Sequence, residues 1–158
     1  MVRFGTPLVP IHFLGLLAEG SAHTGPLVVA YEAGIGNGRQ ANPALPGDAG
    51  DDDGSLALVG GLRLRTLAVP GAEFGVHAYA DDVGGSFPDD VDERILSAHV
   101  AFQRNLEVIL EYMLIRHSPE AGFGAGEDFD TNAWYVHLGY RLPPGMYGLR
   151  PYVRLEKI

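Results

Sequence analysis

The sequence contains no cysteine. That excludes a disulfide scaffold and a thiolate metal site, and by itself says nothing about compartment. Basic residues are scarce, with 11 Lys and Arg against 20 Asp and Glu and a net charge of −9. A protein that grips a phosphate backbone carries the opposite excess, and no basic strip with interleaved aromatic residues occurs, so nucleic acid is not an expected partner. No stretch of about 18 uncharged apolar residues exists, so no transmembrane helix is expected. Sustained helical periodicity is missing too. Residues 7–22 have an apolar centre behind Arg3, but Pro10 and His12 interrupt it and Glu19 crowds the place where a leader would be cut. That stretch therefore reads as a strand from His12 to Ala22 rather than as a secretory leader.

What is present is glycine and proline, 22 and 11 of them in 158 residues, with a hydrophobic fraction of 46%. The length suits one domain with a core, and the composition suits short strands and many turns. The clearest unit runs from Glu93 to Ser118. In its first half Leu96, Ala98, Val100 and Phe102 share one face, and Ser97, His99, Ala101 and Gln103 share the other, the period of two that a strand imposes. In its second half Val108, Leu110, Tyr112 and Leu114 form the apolar face. Matching the two apolar faces predicts a hairpin with Arg104, Asn105 and Leu106 as its loop. Phe102 then opposes Val108 and Val100 opposes Leu110, while His99 faces Glu111 and Gln103 faces Glu107. A soluble sandwich would turn the apolar face inward and a membrane barrel would turn it outward; the hairpin fits both.

The same unit recurs along the chain. Strands are expected over about 12–22, 26–36, 55–67, 74–82, 93–103, 107–117, 133–142 and 149–158, with connections that alternate short and long. An up-and-down antiparallel meander with tight turns at one end and long loops at the other is the layout of an outer-membrane barrel, and strands of about 10 residues suit a tilted crossing of a bilayer. Soluble lipocalin-like barrels share the strand order. Acidic residues gather on or beside the three long loops: Asp48, Asp51, Asp52 and Asp53, then Asp81, Asp82, Asp89, Asp90, Asp92 and Glu93, then Glu120, Glu127, Asp128 and Asp130. Arg65, Arg104, Arg141 and Arg150 fall near the short turns. On the apolar faces Tyr31, Tyr112 and Trp134 lie toward the loops and Phe74, Phe102 and Tyr140 toward the turns, an arrangement expected of two aromatic girdles bracketing an aliphatic band.

Four stretches carry a family resemblance: VRFGTPLVPIHFLGLLAEGSA, YEAGIGNGRQ with its acidic continuation, LEYMLIRHS, and AWYVHLGYRLPPGMYGLRPYVRLEKI. Together they resemble the porin-like proteins of Gram-negative outer membranes, distantly the larger barrels related to phosphate-selective porins. The GNGR segment and the hairpin from WYVHLGYRLP to RPYVRLE are the most specific parts. The resemblance implies localisation in the cell outer membrane, with outer-membrane lipid, lipopolysaccharide and small hydrophilic solutes as partners and room for a homotrimer of a full-length parent. Such porins have about sixteen strands and a closing aromatic residue. This chain has about eight expected strands and Ile158 in that place, so the resemblance implies an interior segment of a larger barrel.

Other motifs are weaker. Gly34, Gly36 and Gly38 resemble a dinucleotide loop, but no helix pattern follows, and a strand exit accounts for them better. Asp51, Asp52 and Asp53 form a carboxylate run without the spacing of a calcium loop; a solvated loop is the default, and weak divalent binding is the alternative. His77, His99, His117 and His137 sit on different strands, where polar lining explains them better than zinc does. No nucleophile context accompanies them, so neither catalysis nor a cofactor is expected. The pore-lining candidates are Arg63, Arg65, His77, His99, Glu111, His137, Arg141, Arg154 and Glu156. The expected function is passive diffusion of small hydrophilic solutes with a weak anion preference, since rings of guanidinium groups favour anions. The alternative is a soluble up-and-down β-barrel that binds an apolar ligand.

Overall fold

The computed structural model describes residues 15–38, 54–83, 91–119, 128–146 and 148–157. Eight strands follow one another: β1 (Gly15–Thr24), β2 (Leu27–Asn37), β3 (Leu56–Thr66), β4 (Ala72–Val83), β5 (Val91–Gln103), β6 (Leu106–Pro119), β7 (Phe129–Tyr140) and β8 (Tyr152–Lys157). They form one antiparallel sheet in chain order. Among the described residues no pairing joins β1 to β8, so the sheet is open and these strands are its edges. A 3₁₀ turn at Pro144–Met146 is the only other regular element described.

The central hairpin has the register that its alternation predicts. Phe102 pairs with Val108, Val100 with Leu110, His99 with Glu111 and Gln103 with Glu107. The loop is tighter than expected, because Leu106 already belongs to β6 and its carbonyl accepts the Arg104 amide at 3.0 Å. Other boundaries also move. His12, Phe13 and Leu14 lie outside the described residues, and β1 continues to Thr24, where it pairs with Leu27. β7 starts at Phe129 rather than Ala133, since its ladder with β6 runs on through Thr131 to Phe129. β8 starts at Tyr152 rather than Leu149: Pro151, just before it, has no amide hydrogen to donate, although its carbonyl accepts from Tyr140 at 3.0 Å. The acidic residues Asp48, Asp51, Asp52, Asp53, Asp89, Asp90, Glu120 and Glu127 lie outside the described residues.

The short connections are stitched to one another. Leu67 donates to the Pro26 carbonyl, Gln103 to Gly71 and Arg141 to Asn105, so backbone hydrogen bonds link successive hairpin ends across the sheet. Two of these turns depend on glycine. Gly25 has φ 56°, and Gly71 has φ 93° with its absent Cβ facing the Gln103 carbonyl. Such backbone excludes most side chains on steric grounds.

Packing distinguishes the two faces. Away from the strand ends, the even-numbered positions of β3 to β7 are apolar and mostly open, with Leu58 at 54%, Leu96 at 57% and Val100 at 51% exposure. The odd-numbered positions hold the polar groups and are the shielded side, with Glu93 at 0%, Glu107 at 3% and His99 at 7%. This reverses the usual arrangement of a soluble sheet, in which the apolar side is buried.

Replacing Gly25 with Ala is expected to destabilise the fold by about 1 kcal/mol, and Gly25→Asn by less, because Asn tolerates the left-handed region. Denaturant midpoints of the two variants against the parent measure the difference, and equal midpoints for Ala and Gly would contradict the turn assignment.

Candidate functional site

The shielded face carries three groups of side chains placed by the strand registers. Near the short turns Glu107 of β6 receives Arg150 and, at 3.7 Å, Arg141, which flank the β7–β8 connection. His137 and Tyr152 stack beside them with ring centroids 5.2 Å apart. At mid-sheet two chains of contacts meet. Glu32 accepts from His77 at 3.0 Å and lies 3.6 Å from Arg63, while Glu73 is bonded to His99 at 3.2 Å and to Arg65. The His77 and His99 rings stack at 5.6 Å, joining the two chains into the sequence Arg63, Glu32, His77, His99, Glu73, Arg65. Beside them Arg154 lies 4.4 Å over the Tyr135 ring and is held by Glu156 at 2.9 Å, and Glu111 is hydrogen-bonded to Tyr135. Toward the long loops His117 pairs with the fully buried Glu93 at 2.8 Å and stacks on Phe129, while the Tyr79 hydroxyl donates to Asp81 at 2.7 Å.

Glycine makes the mid-sheet group possible. A Cβ on Gly75 would overlap the His99 imidazole, and one on Gly61 would meet His77 and Glu32. The rings therefore lie over backbone that has no side chain of its own. Burial of Glu32, Glu73, Glu93 and Glu107 is tolerated because each has a cation or ring nitrogen from another strand or connection, and Asp81 accepts from the Tyr79 hydroxyl; an uncompensated buried charge costs several kcal/mol.

All nine expected lining residues lie on this face, but their partners differ from expectation. The His99 ring is not bonded to Glu111, its partner in the backbone register; it reaches back to Glu73 on β4, and Glu111 turns to Tyr135. The arginines expected to line the lumen are held by carboxylates: Arg63 by Glu32, Arg65 by Glu73, Arg141 by Glu107 and Arg154 by Glu156. The four histidines do not converge, and no group of three metal-ligating side chains suited to a metal occurs among the described residues. Asp51, Asp52 and Asp53 lie outside them.

Sequence reasoning missed Glu73, Glu93 and Ile115. Glu73 was assigned to a turn, but it belongs to β4, where its odd number places it with His77. Ile95 and Ile115, at 5% and 2% exposure, pair on this face as an apolar contact between the mid-sheet and loop-end groups, and buried Ala57, Val83, Ala101 and Ala133 share the face with the polar side chains. Continuing the alternation one step beyond Ser97 and Met113 would have found them.

The open apolar face has edges that slant. Toward the loops its first charged or amide residue is Asp82 on β4, Arg94 on β5, Arg116 on β6 and Asn132 on β7. Asp82 is level with Asp92, Arg94 with Arg116, and Asn132 with Leu114, so the edge steps two residues turnward between β4 and β5 and two more between β6 and β7. At the other edge the apolar run stops before Thr66 on β3 and Arg104 on β5 but includes Tyr140 on β7. Both edges drift the same way. A drift of about 13 Å across three strand spacings totalling about 14 Å inclines the band by about 40° to the hydrogen-bonded rows. The aromatic girdles need correcting on this frame. Trp134 is next to the loop-side edge, but Tyr112 and Tyr31 share its hydrogen-bonded row and so lie inside the band, Tyr31 leaning over Gly20. Phe74, Phe102 and Tyr140 do follow the slant.

No protein-family model matches the chain, and comparison with curated proteins and with solved structures gives no match.

Gly75→Val is expected to expel the His99 ring, break its bond to Glu73 and destabilise the fold by about 1–3 kcal/mol, the usual cost of overpacking. Gly60→Ala, on the open face where the nearest atom to a new Cβ is 3.8 Å away, is expected to be close to neutral. Unfolding curves compare the two, and a neutral Gly75→Val would show that the histidine cluster is not a packing constraint.

Proposed function

We propose that the chain is a wall of a transmembrane β-barrel of the porin type in a Gram-negative outer membrane, either a porin or part of one. The observation that carries this reading is the slanted apolar band. Its inclination of about 40° falls in the range of strand tilt in such barrels, 35–45°. Along β5 the interval from Arg94 to Arg104 is about 33 Å at strand rise, which projects at that tilt to about 25 Å, the height of the apolar belt of an outer-membrane barrel. A water-facing surface has no reason to hold a constant apolar width along an oblique direction. The shielded polar face suits a lining for small hydrophilic solutes, and the resemblance to porin-like proteins points the same way. Its carboxylate-bound arginines leave a modest charge: Arg141 and Arg150 share one glutamate near the turns, which favours a weak anion preference at that end.

Trp134, the single tryptophan, stands on the apolar face and reports on it directly. In the full-length protein reconstituted in phosphatidylcholine, bromine-labelled acyl chains are expected to quench its emission, and heating in detergent is expected to shift the gel mobility. A chain that purifies from the lysate without detergent, with Trp134 indifferent to brominated lipid, would instead support a soluble up-and-down barrel with an apolar ligand.

A further inference from the structure

The apolar face is not smooth. Between β3 and β6 it holds a groove whose floor is Gly60, Ala78 and Ala80 and whose sides are Leu58, Leu96 and Leu114. Its loop-side end is closed by Arg94 and Arg116, which are directly paired across β5 and β6 and point to the same side as the leucines. Resting on the proposed membrane reading, we infer that this groove is a site for a membrane lipid bearing a phosphate, with an acyl chain along the small-residue floor and the phosphate between the two guanidinium groups.

The geometry of the arginines favours this occupant. Arg94 uses Nε and Nη2 to grip Asp92, at 3.3 and 2.6 Å, and Arg116 uses the same two atoms on Asp130, at 2.9 and 3.1 Å. Each forked grip fixes one edge of a planar guanidinium and leaves its Nη1 edge without a hydrogen-bond partner among the described residues, although Asp128 also acts on Arg116 through its charge. Arginine is suited to such bonds with phosphate oxygens. Like charges directly opposite each other across two strands are unfavourable. The two carboxylates do not lie between the arginines: Asp92 is two residues loopward on β5, and Asp130 is across β6 on β7. An anion placed between the arginines relieves their repulsion.

The approach selects lipid over dissolved phosphate. Asp82 and Asp92 occupy the next outward row toward the loops, level with each other and beyond both arginines. An anion approaching along the sheet from the loop side meets these carboxylates, whereas a phosphate carried on an acyl chain arrives from the apolar side and meets the guanidinium groups first.

The test uses the full-length protein in phosphatidylcholine bilayers doped with spin-labelled phosphatidic acid or spin-labelled phosphatidylcholine, reading the motionally restricted fraction of each. Phosphatidic acid is expected to be preferred by about five-fold per arginine engaged, the contribution of one basic residue near an anionic surface. Arg94→Gln with Arg116→Gln is expected to abolish the preference. Gly60→Val, which fills the floor where there is room for a side chain, is expected to reduce it while both arginines remain. Inorganic phosphate in excess, at constant ionic strength, is expected to leave it unchanged. Equal restriction of the two lipids, or a preference that survives the double substitution, overturns the site, and competition by inorganic phosphate overturns its assignment to lipid. Quenching of Trp134 by brominated lipid in the same bilayers keeps the outcomes distinct: quenching without lipid preference rejects the site alone, and absence of quenching rejects the membrane reading beneath it.

Discussion

A carboxylate removed from water must be given a cation or a hydrogen-bond donor, and for the buried glutamates of this sheet the donor comes from another strand or from a segment beyond it. Glu93 meets His117, Glu73 meets His99, and Glu107 meets Arg150 and Arg141. These contacts make the polar face sensitive to register. Slipping one strand by one residue would send its histidines and glutamates to the open side and its leucines into the polar cluster, leaving the opposite carboxylates buried and uncompensated. The turns that fix the register and the ion pairs that require it therefore support each other. The glycines beneath His77 and His99 belong to the same arrangement, because rings of that size lie flat only where the adjacent backbone carries no Cβ.

The open face obeys a different requirement. Its leucines, valines and aromatics make contacts within the sheet but leave about half of their surface uncovered, as Leu58, Val100 and Tyr112 do at 54%, 51% and 50%. The hydrophobic contribution to stability is therefore incomplete within the chain itself, since apolar area stabilises a fold only when it leaves water. The polar face supplies specificity of pairing, and on the proposed membrane reading lipid would supply the burial that an ordinary core provides.

Much of the strand layout was legible from alternation. The pairing of Phe102 with Val108 and of His99 with Glu111 follows from matching two apolar faces about one turn, and the strand order follows from short and long connections in alternation. Side-chain partners were less legible. Direct opposition suggested that His99 would bond Glu111, but the ring leans over Gly75 toward Glu73, a diagonal move that depends on the space left by a glycine on the neighbouring strand. Glu73 was hidden because it follows Pro70 and Gly71 closely enough to be taken for part of the turn. The slant of the apolar band was also invisible in any single strand, since it is a property of where neighbouring strands stop being apolar relative to their shared register.

Because each strand pairs only with the strands before and after it in the chain, the sheet has no long-range crossover to preserve. Inserting a further hairpin at one of the long connections would open one strand interface, create equivalent ones on either side and leave every other register intact. A sheet built this way is modular: its width is adjusted by counting hairpins, while the height of its apolar band and the spacing of its polar groups stay the same.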